Sequence, residues 1–244
     1  SSGIVKELTN LESENSRFNA TGTAIFAGQQ SAQISYMEKN NPEILNKSTT
    51  AFHCKDWIYY KLTNIRATDP SEACFTFGNF RTKNYDKSVI NNLGLSRRMG
   101  LLPDIIDGSK TTNPLINEAA DLLGLISGTP VSLAYIDAVC TFLGSGGLDL
   151  NQNAGTSILG TTSAHMKASK INDITPNINL KSGYVMLLPI DNLALQLQTS
   201  MSGTLNIDWL KLLLRDIFEE FNINFNNKDF TKKINEWLSR SKPG

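Results

Sequence analysis

The longest apolar stretch of the chain, residues 122–143, limits its folds more than any other feature of the sequence. The stretch is interrupted by Gly124, Gly128, Pro130 and Asp137, whereas a helix that spans a bilayer needs about 20 apolar residues in succession. It therefore predicts a buried element of a globular domain and not a membrane span.

Within this stretch, TPVSLAYI (129–136) is a continuous apolar run, which is typical of a strand buried on both faces of a sheet. Asp137 follows at the C-terminal end of the run, and DAVCTFLG (137–144) predicts a helix. Predicted helices and strands occur on both sides of this unit. The sequence therefore predicts a mixed α/β fold.

End signals place several other elements. ATDPSEA (67–73) has Asp69 before Pro70, which is typical of a helix N-terminus, and Gly124 is a plausible C-cap for a helix over 114–123. Three glycines within residues 144–147 mark the best candidate for a domain boundary. The other predicted elements are a helix over 29–45 that ends near Pro42, helices over 57–62 and 84–92, a strand–turn–strand over 156–166, strands over 183–190 and 193–200, and helices over 205–221 and 230–238.

The composition argues against several classes of protein. Lys and Arg together number 23 and Asp and Glu also number 23, so the totals lack the basic excess that is usual in proteins that hold a nucleic acid backbone. The 3 cysteines form no CxxC pair, which disfavours a zinc knuckle or a disulfide framework. With no signal-peptide pattern in SSGIVKELTN (1–10), a soluble, cytoplasmic protein is expected.

Asp137 is the most informative candidate for chemistry. A carboxylate that follows a buried strand and opens a helix lies where open α/β sheets bind ligands, and it could accept a proton from a substrate hydroxyl. The alternative is that Asp137 simply caps the helix that begins there. The two roles are compatible, and position alone does not decide between them.

The second candidate site is the turn Gly160-Thr161-Thr162-Ser163. A glycine and small hydroxyl residues at the tip of a hairpin allow a phosphate to approach backbone N–H groups and add hydroxyl donors. An ordinary polar β-turn is the alternative. The GxxxxGK[ST] pattern is absent, which speaks against a P-loop enzyme, and the two histidines, His53 and His165, are expected at strand or helix edges and not at a metal.

Four segments follow one another along the chain as a set of motifs. FHCKDWIYYKLTNIRATDPSEACFTF (52–77) contains lysine-aspartate, leucine-threonine and threonine-aspartate-x-serine, and GTPVSLAYIDAVCTFLGSG (128–146) contains a strand, an Asp and a helix. GTTS (160–163) is a glycine-threonine-serine type of turn, and SMSGTLNIDWL (200–210) is a small-residue loop followed by an acidic residue and Trp. In this order and spacing, the four segments resemble the motifs of the FGGY family of carbohydrate kinases, in which the turn binds phosphate.

The resemblance implies a ribonuclease H-like (actin-like ATPase) fold with parts of two domains. Residues 1–146 would be the distal part of the N-terminal kinase domain, and residues 147–244 would be the first part of the C-terminal domain. The implied reaction transfers a phosphoryl group from Mg²⁺-ATP to a hydroxyl of a ketose or polyol. Asp137 would be the base, and Gly160, Thr161 and Thr162 would hold the ATP phosphates.

The resemblance also shapes the remaining expectations. The implied partner is a small-molecule sugar, with no nucleic acid or membrane partner, and a homodimer is compatible with the family. The residues around Asp137 and Asp208 most resemble the branch that phosphorylates ketoses such as L-xylulose or 3-keto-L-gulonate, followed by xylulokinases and glycerol kinases. Relatives often have a glycine run and an amide residue around the base, whereas this chain has Ala134-Tyr135-Ile136-Asp137-Ala138.

The chain lacks the family's Asp-x-Gly-Thr turn and its adenosine-binding region, so we expect an internal fragment of a longer kinase that is inactive by itself. The alternative is a truncated or regulatory remnant of a sugar kinase that binds its ligand without phosphoryl transfer. A further alternative is an unrelated α/β domain in which the motifs match by chance.

Overall fold

The computed structural model describes residues 2–9, 13–148, 154–176, 183–223 and 226–242. The chain forms two compact units. The larger consists of Ser1–Thr156 and His165–Gln198, and the smaller consists of Ser157–Ala164 and Thr199–Gly244. The division between family domains predicted after residue 146 is a different kind of boundary and stays a prediction.

The helices of the larger unit are α1 (Ser2–Thr9), α2 (Ser13–Thr21), α3 (Gln30–Asn40), α4 (Pro42–Lys47), α5 (Cys54–Thr63), α6 (Pro70–Thr76), α7 (Lys87–Asn92), α8 (Asn117–Leu123) and α9 (Asp137–Gly144). Short 3₁₀ helices cover Ser96–Leu101 and Ile171–Asp173. The smaller unit contains α10 (Leu205–Glu220) and α11 (Asn227–Arg240). No helix in the described ranges is long and apolar enough to cross a membrane.

The strands are β1 (Ala67–Thr68), β2 (Gly78–Asn79), β3 (Asn84–Tyr85), β4 (Asp104–Ile105), β5 (Thr112–Pro114), β6 (Pro130–Ser132), β7 (Thr156–Leu159), β8 (Ser163–Lys170), β9 (Gly183–Leu187) and β10 (Leu193–Ser200). A four-stranded sheet has the order β7-β8-β10-β9, with β9 antiparallel to β10. Strands β1 and β4 pair in parallel, and β2–β3 and β5–β6 are antiparallel pairs.

Two of the predicted helix ends are confirmed. Asp69 is the N-cap of α6, where its Oδ1 accepts hydrogen bonds from the N–H groups of Ser71 at 2.8 Å and Glu72 at 3.3 Å. Gly124 caps the C-terminus of α8 with a φ of 66°, a left-handed conformation that glycine adopts without a steric penalty. Both follow from local chemistry, which sequence displays directly.

The long strand predicted over residues 129–136 is wrong. Strand β6 covers only Pro130–Ser132, and both of its end residues are exposed. Burial alternates along the segment, with Leu133 and Tyr135 buried and Ala134 exposed. The physical reason is the partner, because β5 supplies only three residues, which pair with residues 130–132. The pairing ends where Thr112 lies opposite Ser132, so residues 133–136 have no strand beside them in this ladder.

Helix α9 packs against the hydrophobic core of the larger unit. Val139 and Phe142 are both 0% exposed and belong to the same hydrophobic cluster as Met166, Met186 and Leu195 of the four-stranded sheet. Two residues one turn apart on a helix point to the same side. This core therefore holds one side of α9 and leaves its first residue, Asp137, at the surface.

Candidate functional site

Asp137 is the first residue of α9, and its side chain is exposed. Its Oδ1 accepts a hydrogen bond of 2.7 Å from the N–H group of Ala138. The N-cap of α9 is Ile136. The alternative that Asp137 is the N-cap is therefore wrong, because Asp137 is the residue that follows the cap. A carboxylate in the first turn is favoured by the helix dipole and remains accessible to a hydroxyl group from solution.

The turn predicted to hold phosphate lies between β7 and β8, as the sequence predicts. The N–H group of Gly160 donates to the carbonyl of Thr162 at 2.9 Å, which closes the turn. Thr161 and Thr162 are exposed, and neither hydroxyl has a hydrogen-bond partner among the described residues. The turn therefore presents two hydroxyl groups that could donate to an anion.

A loop just before α10, residues 200–204, supports this turn from within the same unit. The N–H group of Gly203 donates to the Thr161 carbonyl at 2.9 Å, and that of Thr204 donates to the Gly160 carbonyl at 2.8 Å. The Thr204 hydroxyl donates to the same Gly160 carbonyl at 3.0 Å. The contact uses two of the turn's carbonyls and leaves the threonine hydroxyls outside it.

The approach between loop and turn requires glycine at position 203. A Cβ atom there would lie 2.4 Å from the Gly160 carbonyl oxygen and 2.8 Å from that of Thr162. Both obstacles are backbone atoms, which cannot swing aside as a side chain can. Sequence reasoning recognised the small residues of this loop by resemblance, but it did not find that they support the turn.

The structure places Asp137 in the larger unit and Gly160, Thr161 and Thr162 in the smaller unit. It thus brings the three turn residues together, while the candidate base belongs to another unit of the chain. Among the described residues, no group of three or more His, Cys, Asp or Glu side chains is arranged to hold a metal ion.

A buried charge cluster that sequence reasoning missed joins α5 to the start of α6. Lys55 Nζ lies 2.5 Å from Asp56 Oδ1 and 2.6 Å from Asp69 Oδ2, and both carboxylate side chains are 0% exposed. His53, at the N-cap of α5, lies 3.2 Å from Asp56 Oδ2 and 3.2 Å from Glu72 Oε1. We name these five residues the buried charge cluster.

The pKa shifts in the cluster follow from burial and pairing. Burial alone would lower the pKa of Lys55, but the carboxylates of Asp69 and Asp56 outweigh it and raise that pKa. For Asp56, burial opposes ionisation, yet the contacts with His53 and Lys55 hold its pKa below the usual value. Burial raises the pKa of both Asp69 and Glu72. Lys55 is therefore the cation that compensates the buried acids.

Comparison with known proteins agrees with the fold and with the motifs. Residues 1–144 match the model of the N-terminal domain of the FGGY family of carbohydrate kinases. An erythritol kinase from Brucella abortus is 46% identical over 228 residues, which are 93% of this chain and 44% of that protein. An autoinducer-2 kinase from Escherichia coli is 31% identical over 163 residues, 65% of this chain and 29% of that protein.

Solved structures show the same fold at lower identity. A xylulose kinase from Rhodospirillum rubrum superposes with a TM-score of 0.81 at 17% identity, covering 98% of this chain and 46% of that one. A Plasmodium falciparum glycerol kinase with ADP superposes with a TM-score of 0.71 at 16% identity, covering 85% and 42%. The predicted ribonuclease H-like (actin-like ATPase) class is confirmed. The chain spans less than half the length of these relatives, and it belongs to the FGGY family of carbohydrate kinases.

Proposed function

We propose that this chain is part of a kinase that transfers a phosphoryl group from ATP to a hydroxyl group of a small polyol or sugar. The observation that carries the proposal is the 46% identity to an erythritol kinase over 93% of the chain. Because the chain spans 44% of that relative, the activity is proposed for the polypeptide in which these residues occur.

In this proposal Asp137 binds and orients the reacting hydroxyl. Its exposed carboxylate accepts the hydrogen bond of the substrate O–H group and takes the proton as the oxygen bonds to the γ-phosphorus of ATP. The bond between that phosphorus and ADP breaks, and ADP leaves. The Ala138 N–H group, 2.7 Å from Asp137 Oδ1, holds one carboxylate oxygen and leaves the other for the substrate. Positioning of this kind, together with electrostatic stabilisation, is the main contribution of a protein to phosphoryl transfer.

The turn Gly160-Thr161-Thr162 would hold the phosphates through its exposed threonine hydroxyls and its backbone. The close approach of Gly203 holds this turn in place, since a Cβ at position 203 would lie 2.4 Å from the Gly160 carbonyl oxygen. ATP would supply the phosphoryl group, with Mg²⁺ on its phosphates neutralising charge. Mg²⁺ in such sites is bound largely by phosphates and water with one or two carboxylates, so a larger cluster of protein ligands is not required.

The substrate proposed first is erythritol, a four-carbon polyol, because the 46% identical relative is an erythritol kinase. This choice revises the preference for ketoses that motif resemblance favoured. A panel of erythritol, other polyols, xylulose and other ketoses, assayed by coupled ADP release, tests it. We expect the highest kcat/KM for a short polyol. Polyol binding without ADP release would instead support a remnant that binds ligand without catalysis.

We expect Gly203→Ala to raise the KM for ATP by roughly tenfold to a hundredfold, since a displacement of about 1 Å can cost that much in a positioned site. The added Cβ would force the loop or the turn to move away from the 2.4 Å contact with Gly160. Steady-state kinetics with ATP as the varied substrate measure the effect. Gly100→Ala is the matched control, because a Cβ at Gly100 meets nothing within 4 Å. Equal KM values for the two variants would contradict the prediction.

A further inference from the structure

The segment that leads into Asp137, residues 133–136, belongs to no helix or strand. Among the described residues, the Asp137 carboxylate has one hydrogen bond, to the N–H group of its own neighbour Ala138. No other side chain fixes its direction there. The orientation of the carboxylate therefore depends on how the preceding backbone is held.

The loop of residues 107–109, after β4, contacts this segment through a buried side chain. The hydroxyl of Tyr135 donates to Asp107 Oδ1 at 3.0 Å. Tyr135 is only 7% exposed, and it belongs to the same hydrophobic cluster as Val139 and Phe142 of α9. Burial and the nearby Asp107 charge raise the pKa of Tyr135, so its hydroxyl remains a donor at working pH.

Asp107 is itself rigidly placed as an acceptor. Its Oδ1 accepts from the N–H group of Ser109 at 3.0 Å and from the Ser109 hydroxyl at 2.6 Å. Lys110 Nζ lies 3.5 Å from Asp107 Oδ2. Burial acts to raise the pKa of Asp107, but the bonds from Ser109 and Tyr135 outweigh it and lower the pKa. The carboxylate is thus charged, and a hydrogen bond to a charged acceptor is stronger than a neutral one.

The backbone of loop 107–109 also lies close to the backbone of Leu133. A Cβ at Gly108 would lie 1.9 Å from the Leu133 carbonyl oxygen, so only glycine fits there. The Ser132 hydroxyl donates to the Gly108 carbonyl at 2.5 Å. Loop 107–109 therefore contacts Ser132 at the end of β6 and Leu133 and Tyr135 of the segment before Asp137.

We propose that Asp107 and Tyr135 are positioning residues. Their hydrogen bond holds the backbone of residues 133–136, and that backbone sets the direction of the Asp137 carboxylate. The inference rests on the proposed function, in which Asp137 is the base. Neither residue needs to touch the substrate. Their hydrogen bond joins positions 28 apart in the sequence and fixes the backbone two residues before the carboxylate.

The test compares Tyr135→Phe with Tyr85→Phe in the polypeptide as it occurs in its organism. The first variant removes the bond to Asp107 and keeps the ring in the core. The second removes a bond of 2.8 Å from a Tyr hydroxyl to the Pro103 carbonyl and leaves the Asp137 segment alone. We expect Tyr135→Phe to lower kcat for polyol phosphorylation about tenfold with an unchanged KM for ATP, and to speed amide hydrogen exchange at residues 133–138.

Asp107 gives an independent arm with a conservative rescue. Asp107→Asn keeps an oxygen that can accept from Tyr135 and Ser109, so its kcat and exchange rates should stay near those of the unchanged protein. Asp107→Ala removes the acceptor and should behave like Tyr135→Phe. A purely structural role would lower stability without separating kcat from the KM for ATP.

The outcomes separate this inference from the proposed function. If Asp137→Asn abolishes turnover while Tyr135→Phe matches Tyr85→Phe in both kcat and exchange, the positioning role is overturned and the function stands. If Asp137→Asn turns over polyol at the unchanged rate, both the base assignment and the positioning role fall. If Tyr135→Phe lowers kcat and the KM for ATP moves with it, the effect is not confined to Asp137 and the positioning role is also rejected.

Discussion

Asp137→Asn is expected to lower kcat for polyol phosphorylation by a factor of about 10² to 10⁴, the usual contribution of a positioned general base. Asparagine has the shape of aspartate and keeps an oxygen to accept from the Ala138 N–H group, 2.7 Å from Asp137 Oδ1. It cannot take the proton of the substrate hydroxyl. The fold should therefore remain, and only the chemical step should be lost.

The measurement is the initial rate of ADP formation with saturating polyol and ATP, together with ATP affinity by calorimetry. ATP affinity should be unchanged, because the turn that would hold its phosphates lies in another unit of the chain. Asp121→Asn is the matched control, since Asp121 is an exposed carboxylate on α8 of the same unit. A rate for Asp137→Asn within twofold of the Asp121→Asn rate would exclude Asp137 as the base.

Lys55→Met is expected to lower the free energy of unfolding by about 3–5 kcal/mol, the cost of removing one partner of a buried ion pair. The side chains of Asp56 and Asp69 are both 0% exposed, so without the ammonium group two buried carboxylates lose their compensating charge. Methionine keeps most of the length and apolar volume of lysine, which limits the loss of packing. Such a loss is a large part of a typical domain stability of about 5–15 kcal/mol.

Urea denaturation followed by circular dichroism measures this effect. Lys61→Met is the matched control on the same helix, because Lys61 is exposed. If Lys55→Met proves too unstable to purify, the double variant Lys55→Met with Asp69→Asn removes one of the two uncompensated charges and should recover part of the stability. Equal unfolding free energies for Lys55→Met and Lys61→Met would show that the buried charge cluster does not stabilise the fold.

Most of the helices, and the strands β7 to β10, could be predicted from the sequence because their signals are local. The cap at Asp69, the glycine at the end of α8 and the hairpin around Gly160 each depend on residues within a few positions. The strand predicted over residues 129–136 failed for the opposite reason. Its length was set by β5, a partner of three residues elsewhere in the chain, and no local pattern displays the length of a partner.

The candidate site also consists of residues that a local pattern indicates and of long-range contacts that no local pattern indicates. Asp137 and the turn at residues 160–162 could be singled out because a strand–Asp–helix pattern and a Gly-Thr-Thr turn are contiguous in sequence. The contacts that hold these residues in place could not be predicted. The Asp107–Tyr135 bond spans 28 positions and the Thr204–Gly160 bond spans 44, and neither the acidic residue nor the small residues carry a local sign of their partner.

The sequence by itself determined the family, most of the helices and the strands β7 to β10, and it predicted which residues could take part in phosphoryl transfer, because residue type and short-range spacing carry that information. Only the tertiary structure decided which distant residues hold the fold and the candidate site in place. Lys55 forms an ion pair with Asp69, Gly203 packs closely against the turn at Gly160, and Tyr135 donates a hydrogen bond to Asp107. Each contact joins separate elements, since burial and close packing bring together groups that are far apart in the chain.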